Sequence, residues 1–548
     1  MTEADRNDDL PWWRGAAIYQ IYPRSFLDTD GDGVGDLAGI ARNMGHIASL
    51  GVDAIWISPF FTSPMRDFGY DVADFCDVDP IFGTLEDFER VVEVAHAHGL
   101  RVLIDQVYAH TSDLHPWFAE SRASADNPKA DWYVWADPKE DGTPPCNWQS
   151  VFGGPAWTWD GRRRQYYMHT FLKEQPQLNV HNPAVQDALL GAARFWLERG
   201  VDGFRLDALN HAMHDPRLRD NPPAPRDGRP LNRPFDYQLK VHSQSQPGVV
   251  HFIERIRALC DEYDAIFTMA EVGGEKSEVE MKAFTAGNHR LNSAYGFNFL
   301  YAPALTPALV AQAMKEWQGL PGEDGLAEGW PSWAFENHDA PRAVSRWCAM
   351  VDMDRFARMK LALLASLRGD IILYQGEELG LEQDHIPFHL LQDPEAIANW
   401  PLTLSRDGAR TPMPWSAGQG QGGFTSGTPW LPLSDANLGR AVDVQERDGD
   451  SILNLTRHLL ALRKAHPALH HGDFGGCVIA GDVLAFERAA EGEPAGEGRR
   501  LRCIYNLSPE PVALAELEGV ELGGEPVLSL NPGEEGQLGG YAVLWVAV

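Results

Sequence analysis

Short apolar runs alternate with longer amphipathic stretches along most of this 548-residue chain, and this alternation limits the fold more than any other feature. The runs are rich in Val, Ile and aromatic residues and fall at 16–22, 52–58, 101–107, 201–206, 266–270, 332–335 and 371–374. Between them, residues 85–98, 183–199, 249–263 and 353–367 carry apolar positions at helical spacing. Strand–helix alternation implies βαβ units and a parallel sheet. The expected number of strands, about eight, favours a closed (β/α)₈ TIM barrel over a doubly wound sheet. No GxGxxG follows the first run, as a dinucleotide-binding sheet would require. Residues 1–110 and 179–470 are expected to form the barrel. Residues 111–178, loop-like and aromatic, read as a subdomain inserted after the third strand. Residues 380–435 read as a second long excursion, and long excursions from a compact core are usually functional. From 471 to 548 the pattern changes to short alternating strands, expected near 477–487, 500–507 and 541–546, which imply an antiparallel β-sandwich. Residues 489–498 read as a loop.

Ionisable residues stand where such a barrel would gather them. The run 102–107 leads into His110, 202–206 into Asp207, 267–270 into Glu271, and 333–335 into Glu336-Asn337-His338-Asp339. The C-terminal ends of barrel strands converge on one face, where active sites form. A lone carboxylate after a strand can be a helix cap. Three on three strands, with two histidines, exceed what capping explains. Converging carboxylates repel, so one tends to keep its proton at neutral pH, and an acid beside an ionised partner is the equipment of glycoside hydrolysis. Arg205 shares a strand face with Asp207 and is expected to lower its pKa.

Composition narrows the partners. The chain carries 46 basic and 78 acidic residues, a net charge of −32. Such a surface repels phosphate backbones and anionic lipid, so nucleic acid and membrane are not expected partners, and a neutral substrate fits. The first ten residues lack a basic and apolar leader, and no 18-residue apolar span occurs. Six scattered cysteines show no metal spacing. A cytoplasmic protein with reduced thiols is the expectation. The 18 tryptophans offer flat faces on which sugars stack, although most are expected in the core.

Asp28-Thr-Asp30-Gly-Asp32-Gly-Val34-Gly-Asp36 places side-chain oxygens at relative positions one, three, five and nine, with the Val34 carbonyl at seven. This is EF-hand-like calcium spacing, but Gly39 holds position twelve in place of a bidentate Glu. A structural Ca²⁺ or Mg²⁺ ion is expected there, and no organic cofactor.

Several stretches together resemble the α-amylase family (glycoside hydrolase family 13), and within it the oligo-1,6-glucosidase and α-glucosidase group. They are Ile18-Tyr-Gln-Ile-Tyr-Pro-Arg-Ser-Phe26, Gly69-Tyr70-Asp71, Asp105-Gln-Val-Tyr-Ala-His110, Gln175-Pro-Gln-Leu-Asn179, Gly203-Phe-Arg205-Leu-Asp207, Ala270-Glu271-Val272, Glu336-Asn-His338-Asp339 and Arg406-Asp-Gly-Ala-Arg410-Thr-Pro-Met-Pro-Trp415. The resemblance implies an exo-acting, retaining α-glucosidase. Asp207 would be the nucleophile, Glu271 the general acid/base, and Asp339 the residue gripping the sugar hydroxyls. It implies Asp67 and Arg410 as a salt bridge closing the pocket, and Tyr70 as a stacking platform. His110 and His338 would donate to sugar hydroxyls, and Phe152 would belong to the substrate pocket. Ala109 replaces a frequent Asn, which argues against a second calcium, and Gln177 replaces a frequent Asp. Ala208, where α-1,6-preferring members carry Val, implies α-1,4 bonds as in maltose. The alternative on the same site is glucosyl transfer or sucrose or trehalose chemistry. The Arg-Leu-Asp-Arg stretch of sucrose isomerases is absent.

Overall fold

The computed structural model describes residues 10–226, 232–318, 329–348, 352–490 and 499–548. The chain's first nine residues, and most of the loop expected at 489–498, lie outside them. Eight parallel strands follow in order: β1 (Ala17–Ile21), β2 (Ala54–Ile57), β3 (Arg101–Val107), β4 (Gly203–Asp207), β5 (Phe267–Val272), β6 (Ser293–Gly296), β7 (Ser332–Ala334) and β8 (Asp370–Tyr374). Each pairs with its sequence neighbour, β8 pairs with β1, and an Ala294–Pro331 bridge joins β6 to β7. The sheet therefore closes into the expected barrel. Helices cover it: α1 (Leu37–Ser49), α2 (Leu85–Ala97), α3 (Pro183–Leu197), α4 (Val249–Cys260), α5 (Ser277–Phe284), α6 (Pro307–Gln318), α7 (Met353–Ser366) and α8 (Ile452–Ala465).

Period-two alternation sorts the strand side chains. Ile18, Ala54, Trp56, Leu103, Phe267, Met269 and Ile372 share one cluster inside the barrel. Tyr19, Ile21, Ile55, Ile57, Val102 and Ile104 belong to the larger cluster under the helices. Helix starts follow their caps. Thr84 and Asp87 form a capping box on α2, and Asn182 accepts from Ala184 N ahead of Pro183 on α3.

Between β3 and α3 a three-stranded antiparallel sheet forms from Trp135–Ala136, Trp157–Asp160 and Gln165–Met168. The expected single strand at 477–487 is instead a hairpin, β9 (Asp473–Ala480) and β10 (Val483–Ala489), turning at Gly481 with φ +59°. With β11 (Arg500–Asn506), β12 (Glu525–Leu530) and β13 (Val543–Ala547) it makes an antiparallel sheet of order β9-β10-β11-β13-β12. A ribbon of Val512–Ala513 and Gln537–Leu538 covers one face, and Val483, Ala485, Ile504 and Leu538 share a core there. Cys146, Cys260 and Cys503 are buried free thiols, Cys76 is half-buried and Cys477 is exposed. Among the described residues, no helix is long and apolar enough to cross a membrane.

Candidate active site

Strand register brings the charged groups together. Asp105 lies beside Arg205 and Val107 beside Asp207 across β3 and β4, and Glu271 lies beside Tyr295 across β5 and β6. Asp207 and Glu271 line the pocket at the C-terminal ends of their strands, while Asp105 and Arg205 are fully buried behind them. Arg205, fully buried, binds three carboxylates: Nη1 to Asp105 Oδ1 at 2.6 Å and to Asp207 Oδ1 at 2.8 Å, and Nη2 to Glu271 Oε2 at 2.6 Å. The Tyr295 hydroxyl donates to Glu271 Oε1 at 3.0 Å. Asp207 and Glu271 thus face the two terminal nitrogens of one guanidinium.

The expected electrostatics of Asp207 need correcting. Burial pushes its carboxyl well above the usual range, and the nearby Glu271, Asp105 and Asp339 add to this; Arg205 opposes it without reversing it. One cation shared among three buried carboxylates cannot keep all of them ionised. Asp105 is likewise pushed up, to about 6, by burial against the pull of Arg205. Asp339 behaves oppositely: burial works against its ionisation, but the His338 ring nitrogen 3.2 Å away and the Arg410 and Arg406 cations hold it well below the usual range.

A second ion network forms on the pocket wall around Asp67, Arg406 and Asp339. Here Arg406, not Arg410, bridges Asp67, through Nη2 to Oδ1 at 3.1 Å. Arg406 also binds Asp393 at 2.8 Å and Asp339 at 3.2 Å. Arg410 places Nη2 on Asp339 at 2.6 Å and Nε on the His338 carbonyl at 2.6 Å, and acts on Asp67 through its charge without an ion pair. Gln175 donates to the other Asp67 oxygen at 3.0 Å.

A pocket of about 590 Å³ opens onto these groups. Of the sequence candidates, Asp67, Tyr70, His110, Phe152, Asp207, Ala208, Glu271 and Asp339 line it; Arg205, His338 and Arg410 stand behind its wall. His338 is fully buried, with Nδ1 receiving the Gln20 amide at 2.8 Å and Nε2 meeting the Tyr70 hydroxyl at 2.7 Å. An amide NH₂ only donates, so the ring proton sits on Nε2. Burial pushes His338 down to about 3 and His110 to about 4, so both are neutral. His338 orients its neighbours rather than presenting a donor to the pocket. The Tyr70 ring lies parallel to His338, centroids 5.3 Å apart. Ala208 adopts φ 40°, ψ 41°, a left-handed conformation that turns the chain sharply after Asp207. The aromatic lining is Tyr70, Phe152, Phe171, Phe235, Phe297 and Tyr301, with no tryptophan among the described lining residues.

Sequence reasoning missed Arg406, Asp105 and Tyr295, and also Phe171 and Glu395 on the pocket lining. Arg406 and Asp105 stand inside recognised motifs, and their charge was the available signal. Tyr295 sits on the one barrel strand that the hydrophobic pattern did not single out.

In the loop before α1, Asp28, Asp30 and Asp36 bring carboxylate oxygens within 4.8 Å of one another. Asp32 is not part of that group. Its Oδ1 accepts from Val34 N at 2.7 Å. Asp36 also caps α1, accepting from Gly39 N.

A closed eight-stranded parallel barrel with paired carboxylates at its mouth defines a carbohydrate-cleaving class, and the comparisons agree. The α-amylase catalytic-domain model matches residues 20–472, and the chain belongs to that family of glycoside hydrolases. It is 52% identical over 509 residues to a probable α-glucosidase of Rhizobium meliloti, covering 92% of this chain and 90% of that one. It is 37% identical to an oligo-1,6-glucosidase of Heyndrickxia coagulans, over 84% of this chain and 87% of the relative. Among solved structures, an α-glucosyl transfer enzyme, XgtA, superposes with a TM-score of 0.91 at 48% identity, covering 98% of this chain and 99% of the other.

Proposed function

We propose that this chain is an exo-acting, retaining α-glucosidase that releases terminal α-1,4-linked glucose from short, maltose-like oligosaccharides. The observation that carries this reading is a pocket with paired carboxylates, Asp207 and Glu271, and the ion pair Asp67–Arg406 on one wall; in this reading the ion pair, backed by Asp393, closes the pocket's far end. A blind end admits a terminal sugar and stops a continuing chain.

Asp207 attacks the anomeric carbon as the glycosidic bond breaks, and the leaving oxygen takes a proton from Glu271. A water then gives its proton to Glu271 and attacks the same carbon, which frees Asp207 and releases α-glucose. The raised pKa of Asp207 fits a proton shared within the Arg205 cluster. One of the two working carboxyls must hold that proton while the other is ionised. Asp339, kept ionised by two arginines, accepts from sugar hydroxyls. Asp67 and Arg406 grip the far side of the ring.

Glucosyl transfer on the same site is a second reading. Leu402 and Leu404 line the pocket mouth yet remain 62% and 66% exposed, and their apolar faces favour an organic acceptor competing with water. The all-oxygen set Asp28, Asp30 and Asp36 suits a hard cation, and we propose that it holds a structural Ca²⁺ or Mg²⁺ ion remote from the chemistry.

The test is incubation with maltose, isomaltose, sucrose and trehalose, followed by NMR, with Asp207→Asn as control. First-formed α-glucose from maltose and a dead control support retention. First-formed β-glucose overturns it. New oligosaccharides in place of glucose move the assignment to transfer.

A further inference from the structure

The two segments that follow Asp207 and Glu271 are tied to each other through a single buried side chain. Asn210, fully buried, lies three residues beyond Asp207 in a 3₁₀ turn. Its Nδ2 donates to the backbone carbonyl of Gly273, two residues beyond Glu271, and to Ser245 Oγ at 3.3 Å. Its own carbonyl accepts from Ser245 N at 2.7 Å. Its Oδ1 has no partner, so the amide is held by its donor side alone.

The surrounding backbone is built to reach this amide. Ala208, Ser245 and Gly274 carry φ of 40°, 61° and 121°. Left-handed residues other than glycine are uncommon and strained. A side chain at Gly274 would press on the Gln244 amide at 2.5 Å, and one at Gly273 would meet the Phe297 ring at 2.5 Å. Three chain segments thus bend unusually to bring Gly273, Ser245 and Ala208 around Asn210.

Both carboxylates are held by their strand ladders and by Arg205, and Glu271 also by the Tyr295 hydroxyl. What differs is the chain beyond them: Asp207 leads directly into the 3₁₀ turn that carries Asn210, whereas Glu271 leads into Gly273-Gly274, whose other described anchor is the Lys240–Glu275 ion pair, at 2.9 Å. We infer that Asn210 is a positioning residue for Glu271: its donation to Gly273 fixes the segment that aims the acid/base carboxyl at the leaving oxygen.

This rests on the retaining α-glucosidase reading, and the experiment separates the two. Maltose needs its leaving oxygen protonated. α-Glucosyl fluoride releases fluoride without protonation, so its first step does not use the acid. For Asn210→Ala, kcat/KM on maltose is expected to fall roughly tenfold or more further than on α-glucosyl fluoride, part of the ~10²–10⁴ a general acid contributes. Asn210→Asp keeps the shape but cannot donate to Gly273, and decides the same ratio should the alanine variant not fold. Equal losses on both substrates, or no loss on either, overturn the positioning role. A wild-type chain that cleaves neither substrate overturns the α-glucosidase reading instead.

Discussion

At the scale of single residues, the site is governed by a shortage of cations among buried carboxylates. Arg205 serves Asp105, Asp207 and Glu271, and Arg406 serves Asp67, Asp393 and Asp339. Burial raises Asp67, and Arg406 is the strongest influence opposing that rise. Removing one member of a buried ion network leaves charges uncompensated. Arg406→Ala is therefore expected to destabilise the fold by about 3–5 kcal/mol and to raise KM for maltose. Urea unfolding with steady-state kinetics checks both, and an unchanged midpoint would show that solvent, not Arg406, compensates Asp67 and Asp393. The sequence told that an arginine meets Asp67. It could not tell which of two arginines, four residues apart, reaches it. That choice depends on how the 3₁₀ turn Arg406–Ala409 is oriented.

At the scale of elements, barrel strands with long apolar runs were legible and β6 was not. Its four residues, Ser-Ala-Tyr-Gly, are mostly small and polar, with no run of Val or Ile. It is a strand because β5 offers it a register: Ala294 pairs with Ala270 and Tyr295 with Glu271. The Asp-rich loop was legible as spacing, but its geometry is shared between jobs. Asp28 accepts from Gly31 N at 2.7 Å, from Gly33 N at 2.8 Å and from the Thr425 hydroxyl. The loop is thereby pinned to the second excursion. A cation binding only the folded loop adds about 2.7 kcal/mol at a hundredfold excess over Kd. Calcium is expected to raise the thermal midpoint of the wild type, and to do so less for Asp30→Asn. An identical shift in both would remove Asp30 from the ligand set.

At the scale of the whole molecule, two buried arginines converge on the carbonyls that end α7, and one of them, Arg488, fastens the terminal sheet to the barrel. Arg488 on β10 donates to Ser366 O at 2.5 Å and Gly472 O at 2.6 Å. Arg463 on α8 donates to Ala365 O at 2.8 Å and Leu367 O at 3.1 Å. Together they satisfy the carbonyls ending α7 and complement its negative pole, although burial pushes Arg488 down to about 9. Arg488→Met should leave the Ser366 carbonyl unpaired and cost about 1–3 kcal/mol. It should lower the thermal midpoint while leaving KM for maltose unchanged, and a raised KM would mean that the terminal sheet shapes the pocket. The sequence by itself determined the barrel, the inserted and terminal units, and the converging acids. Those follow from local periodicity and from the rule that barrel strands end on one face. Only the tertiary structure decided that Arg406 pairs with Asp67, that Arg205, His338 and Arg410 stand behind the pocket wall, and that Asp207 is driven up in pKa. Each of these depends on burial and on distances between segments far apart in the chain, and neither is written in local spacing.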